Sequence, residues 1–336
     1  MMKMKKSVLS KRIAVVVLIL LSAAFPYLGF SPYYLHLVTL SLIWIIMTEG
    51  LNIIQGFTGY VSIAQASFFG IGAYASSLFV LKLGWTFWAS LPVVLIIVAI
   101  AGLIVGYPSL RTQGHYFSIM TLAFCMVLWL LMLTLHNLTG GEEGISQIPP
   151  PEAIFGIDFT NRVNLYYLIL IVTLITIFII YRIKNSKVGR AMETIRENEQ
   201  LAQAIGISLV RYKTLAFVIS AMFGGLAGCF FAPYMRFINP STFGADYSMN
   251  AILAIIMGGS GTIGGPIIGS FVMNFLPEYL RVVESLRMVI YGLLLVLITI
   301  FMPQGILGVV KQVSAFVMKK VTKPKDTDTD TKKTVA

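Results

Sequence analysis

The stretch "MNAILAIIMGGSGTIGGPIIGSFVMNFLPEYL", residues 249–280, decides how many times this chain crosses a membrane. It opens as an apolar run, breaks at a glycine-rich tract and resumes as a second apolar run. Around it the chain is equally greasy: 57% of the 336 residues are hydrophobic and 12% are charged, with a mean hydropathy of +0.85. Soluble domains carry about 25% charged residues, so a polytopic membrane protein is the class indicated. About 20 apolar residues span a bilayer, and runs of that kind occur at 13–30, 35–54, 68–83, 87–106, 116–136, 165–181, 214–233 and 287–302.

Charge orients these runs. The start "MMKMKKSVLSKR" resembles a signal peptide, but no small-residue cleavage site follows, so it reads as an uncleaved first span. With the N-terminus cytoplasmic, the loops alternate as 137–164 outside, 182–213 inside and 235–248 outside. The basic tail from Lys311 to Lys333 belongs inside under the positive-inside rule, which requires an even number of crossings. If 249–280 enters and returns with its glycines near the cytoplasmic side, ten crossings result. A re-entrant segment reduces the number to eight or nine. In this topology 20 of the 25 Lys and Arg lie inside, with Lys82, Arg162, Arg236, Arg281 and Arg287 outside. The net charge of +11 thus reports orientation rather than nucleic-acid binding. The expected organisation is one permease-like domain over 1–318, with a charged loop at 184–213, and a disordered cytoplasmic tail at 319–336.

Polar residues within apolar runs mark candidate function. The stretch 56–74, "GFTGYVSIAQASFFGIGAY", places Ser62 and Gln65 among glycines. Irregular backbone at membrane depth is tolerated only where protein buries it or a watery cavity meets it. Here a broken helix could present backbone groups to a polar solute, or could simply be a tight turn with close packing. Ser62, Gln65, Thr121, Gly258, Gly259 and Gly261 are the candidate lining of a solute path. Spacing by four in Ser220, Gly224 and Gly228, and in Gly261, Gly265 and Gly269, puts small residues on one helix face for close packing. Glu49 is the clear intramembrane ionisable residue, a type of position that normally flags function. His36, His115 and His136 sit at segment ends. Cys125 and Cys229 lie in apolar runs with no metal-ligand spacing. "GGSGTIGG" lacks the Lys-Ser/Thr of a phosphate-binding loop, and no enzyme motif appears.

The segment "SKVGRAMETIRENEQLAQAIGIS", 186–208, stands apart. On a helix, Val188, Ala191, Met192, Ile195, Ala202 and Ile205 form an apolar stripe that falters at Asn198–Glu199, predicting a bend or two short helices, with Gly206 as a stop. It could lie on the lipid surface, be a solvated loop, belong to a larger cytoplasmic assembly or insert into a groove on a cytosolic partner. Its mixed charge and its small residues Ala191, Ala202 and Ala204 favour the partner over acyl chains.

"EGLNIIQGFTGYVSIAQASFFGIGAYASSLF", "LRTQGHYFSIMTLAF", "LTGGEEGIS", "VGRAMETIRENEQLAQAIGISLVRYKTLAFVISAMFGGLAG" and "PQGILG", in order from about 35 to 310, resemble the permease subunits of branched-chain amino acid ABC importers, the LivM-type rather than the LivH-type. The resemblance implies an all-α, multi-pass protein of a bacterial inner membrane with both termini cytoplasmic. It implies no catalysis and no cofactor in this chain, ATP being hydrolysed on partner subunits. The implied partners are a homologous LivH-like permease, two cytosolic ABC ATPases and an extracytoplasmic amino-acid-binding protein. ABC importer docking loops often carry Glu-Ala-Ala with a Gly four residues after the second Ala. Ala202 and Gly206 keep that spacing, whereas Gln200 and Leu201 fill the first two places and Glu199 falls one residue early. Arg190, Glu197, Asn198, Glu199, Ala202 and Gly206 are therefore the expected ATPase-coupling residues. Leucine, isoleucine and valine are the expected solutes. The alternatives are urea, short amides or other amino acids within the family, or a stand-alone secondary carrier or channel of a different class.

Overall fold

A computed structural model describes residues 20–280 apart from 28, 30, 113 and 155, together with 290, 292, 293, 296 and 305–308. Six helices in it are long and apolar enough to cross a membrane. They are α1 (Pro32–Asn52, prolonged by a π-helical turn at Ile53–Phe57), α2 (Gln65–Leu83), α3 (Phe87–Ser109), α4 (His115–Thr134), α5 (Arg162–Lys184) and, after the charged segment, Leu209–Met235. The charged segment forms two short helices, α6 (Lys187–Glu197) and α7 (Glu199–Ala204), which makes Leu209–Met235 α8. Half of the expected span 13–30, most of 287–302 and all of the tail 319–336 lie outside the described residues.

Local chemistry sets the ends of these helices. Ser31, Thr86 and Asn161 each turn a side-chain oxygen onto a free N–H of the helix that follows. Gly84, at φ +66°, ends α2 in the left-handed conformation that glycine adopts without strain. Apolar burial then sorts the bundle. Of the most apolar window of α1, 94% is buried inside the chain, against 22% for α4. α1 and α8 thus form the centre, and α3, α4 and α5 turn large aliphatic side chains outward, as lipid-facing helices do.

Glycine lets the central helices approach backbone to backbone. Along α8, Ser220, Gly224 and Gly228 all face α2: Ser220 bonds Gln65, Gly224 abuts Gln65 and Phe68, and Gly228 abuts the carbonyl of Phe69. Gly72 of α2 meets the backbone of Gly225 in return. No Cβ fits at Gly72 or Gly228 without moving a neighbouring backbone.

The deciding stretch folds as two helices, α9 (Ala245–Gly258) and α10 (Gly264–Tyr279), joined by a turn at Gly259–Ile263. They pack antiparallel, with Gly258 against Gly265 and Gly269 against the carbonyl of Ala254. Gly261 lies in the turn before α10, so it does not share the packing face of Gly265 and Gly269. α9, with 14 residues, is about 21 Å long, short of the roughly 30 Å hydrocarbon core, and the described part of α10 covers 16 residues, about 24 Å. α9 also starts at depth: the indole of Trp44, midway along α1, donates to Tyr247 (2.9 Å), and the Ala66 N–H donates to Ser248 (2.8 Å). The irregular backbone leading to α9 is buried by Ile238, Pro240 and Phe243, and pairs its strand Phe237–Ile238 with Ile145–Ser146.

The α2–α8 contact yields a direct test. Gly228→Leu should lower the melting temperature in detergent or abolish folded yield, since overpacking of this kind costs about 1–3 kcal/mol or more. Ile96→Ala, at an exposed position of α3, should melt within a degree or two of wild type.

Candidate coupling site

The charged segment sits at the end of the bundle where α1, α5 and the α9–α10 turn converge. Ser186 caps α6 by accepting from Val188 N–H (3.1 Å) and Gly189 N–H (3.3 Å). Gly189 lies against the carbonyls of Ile183 and Lys184, where a side chain would collide, so α6 folds tightly back on the end of α5. Ala191, Met192 and Ile195 are buried beneath it. Asn198, with φ −160° and ψ 112°, breaks the helix, and its side chain caps α7 by accepting from Leu201 N–H (3.0 Å). Gly206, at φ +85°, ends the segment.

The structure divides the expected coupling residues into two groups. Arg190, Glu197, Asn198 and Gly206 are exposed. Ala202 is fully buried. Glu199 turns inward as well: its carboxylate accepts from the Tyr60 hydroxyl (2.6 Å) and pairs with Lys213 at 2.8 Å, the lysine side chain being only 4% exposed. Tyr60 lies outside the spanning helices, in the connection between α1 and α2. Burial first, and then Glu199, hold its phenol well above the usual range, so it remains a donor. The outward carboxylate of the pair is therefore Glu197. Ile205, expected on the buried stripe, instead stands 64% exposed beside Leu201 at 57%. These two residues, one helical turn apart, are exposed apolar residues at α7 and its C-terminal cap.

The candidate path residues occupy the interior. Gln65 donates to the carbonyls of Met47 (3.1 Å) and Ser220 (3.2 Å) and accepts from the Ser220 hydroxyl (3.1 Å). Thr121 accepts from Ile63 N–H (3.1 Å) and donates to the Ser118 carbonyl (2.9 Å). Ser62 accepts from Ala64 N–H at 3.4 Å. These side chains hold the irregular connection 59–64 in place, and their polar atoms are engaged within the chain. Gly258, Gly259 and Gly261 are brought together in the α9–α10 turn, apart from the Gln65 group. Glu49 is fully buried, and neither carboxylate oxygen has a hydrogen-bond partner.

Sequence reasoning passed over the residues that surround that turn. Asn52 uses both ends of its carboxamide, accepting from Gly261 N–H (3.0 Å) and donating to the Thr262 carbonyl (2.9 Å). Lys184 donates to the Gly261 carbonyl, and Arg196 donates to the Gly56 carbonyl (2.5 Å). One signal was visible in Asn52, a polar residue one turn after Glu49 in an apolar run. Lys184 and Arg196 read only as orienting charges.

At the opposite end, His36, Thr160, Arg162, Tyr234 and Arg236 line a cavity of about 230 Å³. His36 Nδ1 and the Tyr234 hydroxyl are 2.8 Å apart.

Comparison with known proteins follows the same chain. A family model described as "Branched-chain amino acid transport system / permease component" matches residues 33–299. The high-affinity branched-chain amino acid transport system permease protein LivM of Escherichia coli is 33% identical over 324 residues, 90% of this chain and 76% of its own length. LivH of the same organism is 25% identical, over 84% of this chain and 96% of its own. BraD of Pseudomonas aeruginosa is 24% identical, over 77% and 89% respectively. No solved structure matches. With a family match over well over half its length and a long relative at 33% identity, on a bundle of apolar helices, this chain belongs to the branched-chain amino acid transport permease family, as an all-α polytopic membrane protein.

Proposed function

We propose that the chain is a permease subunit of an ATP-driven importer and carries branched-chain amino acids inward across a bacterial inner membrane. It would do so paired with a homologous permease, powered by two cytosolic ATPase subunits and supplied by an extracytoplasmic binding protein. The observation that carries the reading is the outward face of α6 and α7. A segment anchored from beneath by Met192, Ile195, Ala202 and the Tyr60–Glu199–Lys213 triad offers Arg190, Glu197, Leu201 and Ile205 to the outside. Exposed apolar residues together with mixed charge on one segment suit a protein groove better than a lipid surface. The names of the relatives support the solute class.

Basic residues support a cytoplasmic position for this end and for both termini. The short α9, starting beside the middle of α1, supports a re-entrant hairpin in place of two full spans. With 13–30 and 287–302 read as spans from their sequence, eight crossings follow, and the two termini stay on one side. The interior path would run by the α9–α10 turn, with Ser62, Gln65 and Thr121 shaping its wall. A zwitterionic solute of zero net charge asks for few charges along such a path. Hand-over from the binding protein would occur near 137–164 and 235–248, where the cavity lined by Arg162 and Arg236 opens.

Purification from its native membrane should bring down two ATPase subunits and a second permease with this chain. ATP should drive uptake of leucine, isoleucine or valine by the reconstituted complex. Transport by this chain alone, driven by an ion gradient and indifferent to ATP, would sink the importer reading. Leu201→Asp or charge reversal at Glu197 should lower ATPase association tenfold or more in pull-downs while membrane insertion stays intact. Gly206→Pro should do the same, because proline cannot take the positive φ of this position.

A further inference from the structure

The α9–α10 turn is held by side chains from two different parts of the molecule. Asn52, from α1, grips its backbone at Gly261 N–H and the Thr262 carbonyl. Lys184, from the end of α5, donates to the Gly261 carbonyl. Both belong to membrane helices. The third, Arg196, belongs to α6 of the charged segment. Its guanidinium donates to the Gly56 carbonyl in the π-helical turn and fills the space beside Gly261 where a side chain would otherwise sit. Its aliphatic stem packs on Gly59. Three glycines, from the π-helical turn, the α1–α2 connection and the α9–α10 turn, thus meet one arginine, Gly56 and Gly261 at its guanidinium and Gly59 at its stem.

From this convergence we infer that Arg196 is the positioning residue linking the charged segment to the α9–α10 turn, and that this turn moves when the segment is pushed or drawn. The inference rests on the ATPase-coupling reading of α6 and α7. The physical reason is geometric. Arg196 stands at the surface of the segment, but its guanidinium is bonded to the Gly56 carbonyl and set directly against Gly261, so these two backbones follow it when α6 moves. π-helical turns inside α-helices recur at functional sites, whereas the α2–α8 contact is closed backbone to backbone at Gly72 and Gly228. Force applied at α6 is therefore delivered to the broken elements of the fold and not to its centre. Asn52 and Lys184 are the restraints that return the turn to the state described here.

Two measurements test this. Ser260→Cys places a thiol in the turn, in a chain whose own Cys125 and Cys229 are buried. In nanodiscs, with both faces open to a maleimide, Arg196→Ala should raise the labelling rate of that thiol about tenfold, and Arg196→Lys should raise it by less. If Arg196→Ala fails to accumulate, Arg196→Lys decides by the same rate; a rate unchanged from wild type overturns the inference. In the assembled importer, Arg196→Ala should keep its ATPase subunits and still hydrolyse ATP, with solute carried per ATP reduced about tenfold. Loss of ATPase association in Arg196→Ala would make Arg196 a docking residue and overturn the link. If the wild-type chain binds no ATPase, the importer reading falls, while the labelling result still reports whether Arg196 holds the turn.

Discussion

Every place where this chain leaves the helix inside the bundle obeys one constraint: a backbone N–H or C=O withdrawn from water must find a partner. The connection 59–64 meets it with Thr121 at Ile63 N–H and with the Ser118 hydroxyl at the Val61 carbonyl. The α9–α10 turn meets it with both ends of the Asn52 carboxamide and with Lys184. The approach to α9 meets it by strand pairing and by the Asn239 side chain, which accepts from Thr242 N–H. Close helix contacts follow from the same demand. Where carbonyls on neighbouring helices approach this closely, only glycine fits, which is why Gly72, Gly228, Gly258 and Gly269 stand where they do.

The broken elements and the charged segment gather at one end of the bundle. This arrangement separates a glycine-packed centre, α1 and α2 against α8, from an end made of a π-turn, a glycine turn and two short helices. The charged segment itself has two faces with different duties. Met192, Ile195, Ala202, Glu199 and Arg196 tie it to the bundle, and Arg190, Glu197, Leu201 and Ile205 remain for contact with something else. A half-buried ion pair such as Glu199–Lys213 gains from its third member, since Tyr60 contacts both charges.

Much of the architecture was legible in the sequence. Long apolar runs marked the six described spans to within a few residues, because bilayer thickness and helix rise fix the length of a spanning run. The falter at Asn198–Glu199 marked a bend or two short helices, and the structure has two, with Asn198 capping the second. Small residues at Ser220, Gly224 and Gly228 marked one face of α8. The direction of individual side chains was not legible. Glu197 and Glu199 look interchangeable as letters, and Ile205 looks like a buried residue. Lys213 and Tyr60, 14 and 139 residues away from Glu199, decide which carboxylate turns inward.

The sequence by itself therefore determined the class, the helices and the basic end of this protein, because those depend on the composition of contiguous runs and on local capping. It also carried the family resemblance, whose motifs are contiguous. Only the tertiary structure decided where the two helices of 249–280 begin and pack, and that Asn52, Lys184 and Arg196 converge on the turn between them. That convergence depends on contacts between residues 65 to 210 positions apart, and no local pattern records such contacts.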